Sequence, residues 1–159
     1  MKARINHVSI SATTLEESVR FYGDVFGAIP IDTPNFGFPV QWLRLGTLQL
    51  HIFQRPSRTP AYHHFALEVD DFDAVFQATR RQGQHDRETM GHHLFELPSG
   101  QVQLYIRGPG GNLVEVNCPD AGLVSEDVRR EMKHIDQHQP QNESNRRAML
   151  YLEAADQSG

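Results

Sequence analysis

The residues of this 159-residue chain that could do chemistry lie at matching positions of an internal repeat. The segment NHVSISATTLE aligns with HHFALEVDDFD and places His7 over His64, while GTLQLH aligns with GGNLVE and places His51 over Glu115. Two histidines and a glutamate form a ligand set for a divalent metal ion with open coordination positions. His7, His64 and Glu115 are therefore the candidate ligands, and His51 is either a fourth ligand or lies just outside the ligand shell. Matched positions of a repeat converge on one site, which makes the joint pattern stronger than any single residue.

Each aligned segment predicts a strand followed by a helix. Strand side chains alternate between two faces, so His7 and His64 point away from the apolar face of their strands. N-cap residues and helically spaced apolar residues follow, with a capping box at Thr13–Glu16 in the first copy. Gly27 and Gly83 stand where each helix should end.

Strand signals continue after each predicted helix. They cover 28–32, 39–45 and 47–54 in the first copy, and 85–97, 101–107 and 112–117 in the second. The predicted fold class is therefore α+β, with two βαβββ modules at 1–54 and 63–118 joined by a linker at 55–62. Residues 119–159 are expected to form a C-terminal helix and a mobile tail, with helices at Ser125–Gln137 and Arg146–Ala155.

The composition argues against several kinds of partner. A formal net charge of -5 is unlike that of a general nucleic-acid binder. The sequence shows no apolar run near the ~20 residues that span a bilayer and no signal peptide at its start. The single cysteine, Cys118, fits a reducing compartment. We therefore expect a cytoplasmic protein whose partner is a small-molecule substrate, and neither nucleic acid nor membrane.

Four motifs carry a family resemblance: NHVSI, FYGDVFG, HHFALEVDD and YIRGPGGNLVEVN. Over about residues 4–118 the chain resembles the vicinal oxygen chelate superfamily, which includes glyoxalase I, bleomycin-resistance proteins and extradiol dioxygenases. The resemblance implies a glyoxalase-like open barrel around a metal-binding cavity, with one divalent metal held by His7, His64 and Glu115. Fe(II) is favoured, with Mn(II), Zn(II) and Ni(II) as alternatives. The modules of such proteins pair within a chain or across a dimer, and we expect a homodimer.

Among the reactions of this superfamily, the extradiol dioxygenase ranks first. Its pattern resembles Gly91-His92-His93, Tyr105 and Glu115 here, although the spacing from His93 to Tyr105 is a few residues longer and Gly108 replaces a polar residue. The resemblance implies His93 as the acid–base residue and Tyr105 as a hydrogen-bond donor. The substrate would be a catecholic molecule bound to Fe(II) through its vicinal oxygens.

Two other functions stay open. A glyoxalase- or fosfomycin-resistance-type lyase or thiol transferase shares the three ligands, and the thiol transferases also share Tyr105. A phosphonate substrate would need a cationic pocket, for which Arg44 and Arg107 are the candidates, and a glyoxalase would need Gln49 or His51 as a fourth ligand. A non-catalytic small-molecule binding protein ranks third, with an aromatic pocket of Tyr62, Trp42, Phe38 and Phe53.

Overall fold

The computed structural model describes residues 5–55, 60–148 and 150–151. The first module consists of β1 (His7–Ser11), α1 (Leu15–Phe26), β2 (Ile29–Ile31), β3 (Val40–Leu45) and β4 (Leu48–Phe53). The second consists of β5 (His64–Glu68), α2 (Phe72–Arg81), β6 (Leu94–Glu96), β7 (Val102–Arg107) and β8 (Leu113–Cys118). After these come α3 (Glu126–Glu131), β9 (Lys133–His134), α4 (Ile135–His138) and α5 (Glu143–Arg146). The predicted α+β class with two βαβββ modules is confirmed.

Each module forms its own sheet, and the two sheets share one strand pattern. The orders are β1-β4-β3-β2 and β5-β8-β7-β6-β9. The first and last strands of each module run parallel, and the remaining pairs within a module are antiparallel. In the described part of the chain the two sheets stay separate, so the barrel is not closed and β1 and β5 are edge strands.

The modules contact each other through their helices and through one turn. Helix α1 packs on α2, and the rings of Tyr22 and Phe65 lie 6.2 Å apart. The Asn112 side chain at the start of β8 donates a hydrogen bond to the carbonyl of Ser11 at 2.7 Å. Gly110, at φ 78°, lies so close to the end of β1 that an added Cβ would sit 3.4 Å from the same carbonyl. The turn before β8 therefore fastens the second module to the first.

The predicted helix ends are partly confirmed. Gly27 ends α1 in the left-handed conformation, at φ 65°, as predicted. The predicted capping box of α1 is wrong, because Thr14 is the N-cap and its side chain makes no capping bond. The N–H of Leu15 instead donates a hydrogen bond to Oε1 of the Gln54 side chain at 3.3 Å. In α2 the Asp71 carboxylate accepts a bond from the N–H of Ala74 at 2.9 Å, as an N-cap residue should.

The predicted strand over 85–97 is wrong for most of its length. Only β6 is a strand there, and His85 forms an isolated bridge with Ile106. Between them the Asp86 carboxylate accepts the N–H of Thr89 at 2.8 Å, and Gly91 takes a positive φ of 74°. These two local features turn the chain away from the sheet before β6 begins.

The segment after the second module also differs from the prediction. The single helix predicted over Ser125–Gln137 is wrong, since α3 ends at Glu131 and Lys133 pairs with Phe95 on the open edge of β6. The helix predicted at Arg146–Ala155 is replaced by α5, which begins earlier at an Asn142 capping box, and 152–155 lie outside the described residues. The middle of the predicted linker, 56–59, and residues 149 and 152–159 of the predicted tail also lie outside them. None of the helices in the described ranges has the length and apolarity to span a bilayer.

Candidate metal centre

The second sheet holds a histidine–glutamate pair, of which the glutamate is buried and the histidine is exposed. Glu115, on β8, is 4% exposed, and its Oε2 lies 3.2 Å from Nε2 of His64 on β5. His64 Nδ1 lies 2.7 Å from the carbonyl of Tyr62, which can only accept, so Nδ1 carries the hydrogen. In the neutral ring the Nε2 lone pair then faces a carboxylate oxygen. Two acceptors at this distance are stabilised when a cation lies between or beside them, which is the donor set of a divalent metal site.

Two residues of β7 complete this cluster. Gln103 Nε2 donates to Glu115 Oε1 at 2.8 Å, and the Tyr105 hydroxyl lies 3.4 Å from Gln103 Oε1. Tyr105 is paired with Glu115 across the strands, and its ring meets His64 edge-on at 6.0 Å. Burial, followed by the Glu115 carboxylate, raises the pKa of Tyr105, so its hydroxyl keeps its proton and can donate. In the described part of the chain no lysine or arginine forms an ion pair with Glu115.

The first sheet holds a stack of aromatic rings. His7 on β1 lies parallel to His51 on β4 with ring centroids 4.2 Å apart, and Trp42 on β3 covers the other face of His51, also at 4.2 Å. His51 is 7% exposed, and burial, followed by the charge of His7, lowers its pKa. Its Nε2 is 2.8 Å from Gln49 Oε1, and His7 Nδ1 is 2.9 Å from Asn6 Oδ1. The Nε2 lone pair of His7 is thereby left available to a metal, while His51 already uses its Nε2.

The two clusters are not joined into one ligand group within the chain. His7 and His51 come from the first sheet, and His64 and Glu115 from the second. No set of three among these four has its ligand atoms within 4.8 Å of one another. The edge strands β1 and β5 instead line a cleft of about 480 Å³, with Ser9, Tyr62 and His64 on its walls. The histidines lie on the strand faces that the sequence predicts. Within one chain, however, those two faces do not come close enough for their side chains to share a metal ion.

His93, the predicted acid–base residue, does not join either cluster. Its carbonyl accepts the N–H of Tyr105 at 2.8 Å, yet its ring is fully buried on the helix side of the sheet. There it stacks against His85 at 4.6 Å and Phe76 of α2 at 6.2 Å. The chain bends through Gly91 to His93, so the alternation of strand faces does not apply to this residue.

The two arginines considered for an anionic substrate have different surroundings. Arg107 is bound at 2.6 Å to Asp86, and it donates to the carbonyls of Ala61 and Gly111, so its guanidinium is occupied. Arg44 is exposed on β3 and is paired with Gln49 across the strands, which places it on the face of the ring stack. Of these two, Arg44 is the one available to a ligand.

An aromatic wall adjoins the ring stack, and we define it as Phe36, Phe38, Trp42 and Phe53. Neighbouring rings of the wall lie 6.0 to 6.3 Å apart. Arg55 covers the Phe38 ring at 4.0 Å. The predicted aromatic pocket is thus largely assembled, with Phe36 added, while Tyr62 lies on the cleft instead.

Sequence reasoning missed Gln103. It lies two residues before Tyr105 on the same face of β7, so strand parity could have found it. Its amide orients the Glu115 carboxylate, the usual task of a residue next to a metal ligand.

Comparison with known proteins gives a consistent set of relatives. The family model of the glyoxalase/bleomycin resistance protein/dioxygenase superfamily matches residues 4–116. The chain is 30% identical over 146 residues to Glyoxylase I 4 of Arabidopsis thaliana, which covers 85% of this chain and 83% of that protein. It is 28% identical over 119 residues to the metallothiol transferase FosB of Shouchella clausii, with 71% and 78% covered. The crystal structure of lactoylglutathione lyase from Agrobacterium tumefaciens matches with a TM-score of 0.51 and 26% identity, over 73% of this chain and 93% of that one.

Proposed function

Because the chain belongs to the glyoxalase/bleomycin resistance protein/dioxygenase superfamily, we propose that it is a metal-dependent lyase or thiol transferase acting on a small molecule with two adjacent oxygen atoms. The observation that carries the proposal is the buried Glu115 carboxylate, whose Oε2 lies 3.2 Å from Nε2 of the exposed His64. A buried carboxylate without a cationic partner is costly, and a divalent ion relieves that cost. The ion supplies a Lewis acid for the two substrate oxygens.

The ligands in this proposal are His64 and Glu115 from one sheet and His7 from the other. Since one chain keeps the two sheets' clusters apart, His7 comes from a second copy, and the active form is a homodimer. A two-fold dimer gives two equivalent centres, each built from both copies. His51 stacks on His7 and holds its ring in place, with Nε2 directed to Gln49.

The neighbouring residues bind and orient the substrate. The Tyr105 hydroxyl, kept protonated by burial, donates a hydrogen bond to a substrate oxygen. The aromatic wall takes up the apolar part of the substrate. Arg44, exposed on the same face, attracts a carboxylate such as those of glutathione.

Two considerations favour thiol chemistry over ring cleavage. The relatives named above include a lactoylglutathione lyase and a metallothiol transferase. An extradiol dioxygenase would use the same ligands and Tyr105, but its acid–base residue would be His93, and that ring is buried against Phe76. Ring cleavage of a catechol with Fe(II) is therefore the second candidate, and its support is limited to the two histidines and one glutamate proposed as ligands.

Metal binding is the first test. Tag-free protein is treated with a chelator, dialysed, and titrated with Mn(II), Zn(II), Ni(II) and anaerobic Fe(II) by calorimetry. Glu115→Ala and His64→Ala should each abolish binding at this centre. Glu68→Gln, a carboxylate on the same face of β5, is the matched control and should bind normally. Protein in which Glu115→Ala leaves metal binding unchanged would exclude the proposed centre.

The reaction is tested on the metal-loaded protein with three substrate classes. We expect turnover of the hemithioacetal of an α-ketoaldehyde with glutathione, or addition of a thiol to an epoxide. Oxygen uptake with catechols, and no thiol chemistry, would replace the proposal with the dioxygenase. Tight binding of aromatic ligands without metal or turnover would identify a binding protein.

A further inference from the structure

A second cluster of metal-binding side chains lies on the opposite side of the second sheet. His85, His93 and Glu131 each offer one ligand atom, and these atoms lie within 4.8 Å of one another. His93 Nε2 is 3.2 Å from Glu131 Oε2, and the two histidine rings stack with centroids 4.6 Å apart. In the described ranges no other histidine, cysteine, aspartate and glutamate side chains gather in this way.

The backbone holds the three residues in place from separate segments. His85 bridges to Ile106 of β7, and the carbonyl of His93 accepts the N–H of Tyr105 on the same strand. Glu131 ends α3, and the His92 ring donates to its carbonyl at 2.8 Å. Helix α3 itself is fixed on α2 by a hydrogen bond of 2.8 Å from Gln77 to Asp127. The cluster is thus assembled on fixed elements, which a metal site requires.

Of the four ring nitrogens of His85 and His93, His85 Nε2 is the one that makes hydrogen bonds to the described residues, with the Phe76 carbonyl and the Thr79 hydroxyl. His85 Nε2 lies 3.2 Å from the carbonyl of Phe76, so this nitrogen carries the hydrogen and Nδ1 carries the lone pair. His85 Nδ1 and both ring nitrogens of His93 are buried and make no hydrogen bond to the described residues, although His93 Nε2 contacts the Glu131 carboxylate at 3.2 Å. A carbonyl bonded to the far nitrogen of a histidine is the usual support of a metal-ligating ring.

Two arginines already contact Glu131, and the site must accommodate them. Arg80 binds Oε1 at 3.0 Å and Arg87 binds Oε2 at 3.2 Å. The Arg87 side chain is 61% exposed, so it can release Oε2 into solvent at little cost. Arg80 can stay on Oε1 and orient the carboxylate towards the histidines.

We propose that His85, His93 and Glu131 bind a structural divalent metal ion of the zinc class, which fastens the segment after the second module onto that module. Two imidazoles and one carboxylate suit Zn(II), and the imidazoles argue against Ca(II) or Mg(II). The ion joins the sheet side of the module to α3 and, through it, to β9. This site shares no residue with the centre formed by His7, His64 and Glu115, so the two proposals stand or fall separately.

The test removes the first centre before it examines the second. Chelator-treated, tag-free His64→Ala/Glu115→Ala protein is titrated with Zn(II) by calorimetry. We expect one equivalent per chain to bind, and amide hydrogen exchange of α3 and β9 to slow on loading. Adding Glu131→Gln should weaken Zn(II) by more than the ~10–100-fold that loss of an outer partner costs. The matched control, His134→Gln, changes an exposed histidine just beyond α3 and should leave Zn(II) affinity unchanged.

A second measurement does not depend on the stability of these variants. X-ray absorption of the zinc-loaded His64→Ala/Glu115→Ala protein should show two imidazole ligands and oxygen. No Zn(II) binding by this protein, fewer than two imidazoles, or an affinity that Glu131→Gln leaves unchanged would each overturn the proposal. The cluster would then be a metal-free packing of neutral histidines.

Discussion

Replacing Glu115 by glutamine should raise the stability of the metal-free protein and should remove the stabilisation that metal gives. The Glu115 carboxylate is 4% exposed and is contacted by the neutral amide of Gln103 and by the lone-pair side of His64. A glutamine of the same shape removes the buried charge. Its amide can donate to His64 Nε2 while its oxygen still accepts from Gln103.

The expected sizes follow from these contacts. One hydrogen bond gained in place of two opposed acceptors contributes about 1 kcal/mol, and removal of the buried charge adds to it. For a chain of this length that raises the melting temperature of the metal-free protein by at least ~2–4 °C. Metal at 100 times its Kd stabilises a binding protein by about 2.7 kcal/mol, or ~5–11 °C, and Glu115→Gln should lose this increment.

The assay is thermal unfolding of chelator-treated protein with and without Mn(II). Both proteins carry Glu131→Gln, so the cluster of His85 and His93 cannot contribute to the metal response. Protein concentration is held constant, because binding across a dimer makes the melting temperature depend on it. A metal-free Glu115→Gln protein that is less stable than its parent, or one that keeps the Mn(II) increment, would refute this reading of the pair.

Three further outcomes are expected. Tyr105→Phe should slow turnover about 10²–10³-fold in steady-state assays and leave metal binding unchanged in calorimetry, because the hydroxyl donates a hydrogen bond and is not a ligand. An equal loss of metal affinity would contradict this. Burial alone would raise the pKa of Asp86, but bonds from Thr89 and Arg107 outweigh it and lower that pKa. A pKa that is lower in the folded state stabilises the protein above the unfolded-state pKa of about 3.9, and this stabilisation is lost as the pH falls below it. Asp86→Asn should therefore make the free energy of unfolding, measured with urea, depend less steeply on pH in the acid range. Asn112→Ala should cost about 1 kcal/mol by the same method, because it removes the hydrogen bond from the Asn112 side chain to the partly buried carbonyl of Ser11. A change under ~0.5 kcal/mol would show that the turn does not fasten the modules.

The internal repeat made much of the candidate site predictable. Strand alternation places His7 with the stack on one sheet and His64 with Glu115 on the other, and both faces are as expected. The helix positions follow from local spacing and from residues such as Asp71 and Gly27, whose effects depend only on near neighbours. These features require no knowledge of how distant parts of the chain meet.

The features that the sequence did not predict depend on contacts between distant segments. The helix predicted over Ser125–Gln137 ends at Glu131 because the open edge of β6 takes Lys133 as a partner. Helical propensity cannot show that such an edge exists. The separation of the His7 and His64 clusters could not be predicted for the same reason. It depends on how the edge strands of the two sheets are placed relative to each other, and a local sequence pattern carries no information on that.

His93 shows where an argument from motif spacing can fail. Its spacing to Tyr105 was longer than the dioxygenase pattern, and the added length forms the turn that Asp86 and Gly91 create. A residue that leaves the strand in a bend no longer follows the alternation of faces, so its ring entered the layer between the sheet and α2. There it contacts His85, which the sequence predicts only as part of a strand. The extra residues therefore keep the predicted acid–base residue out of the proposed first centre and place it in the cluster proposed as the second metal site.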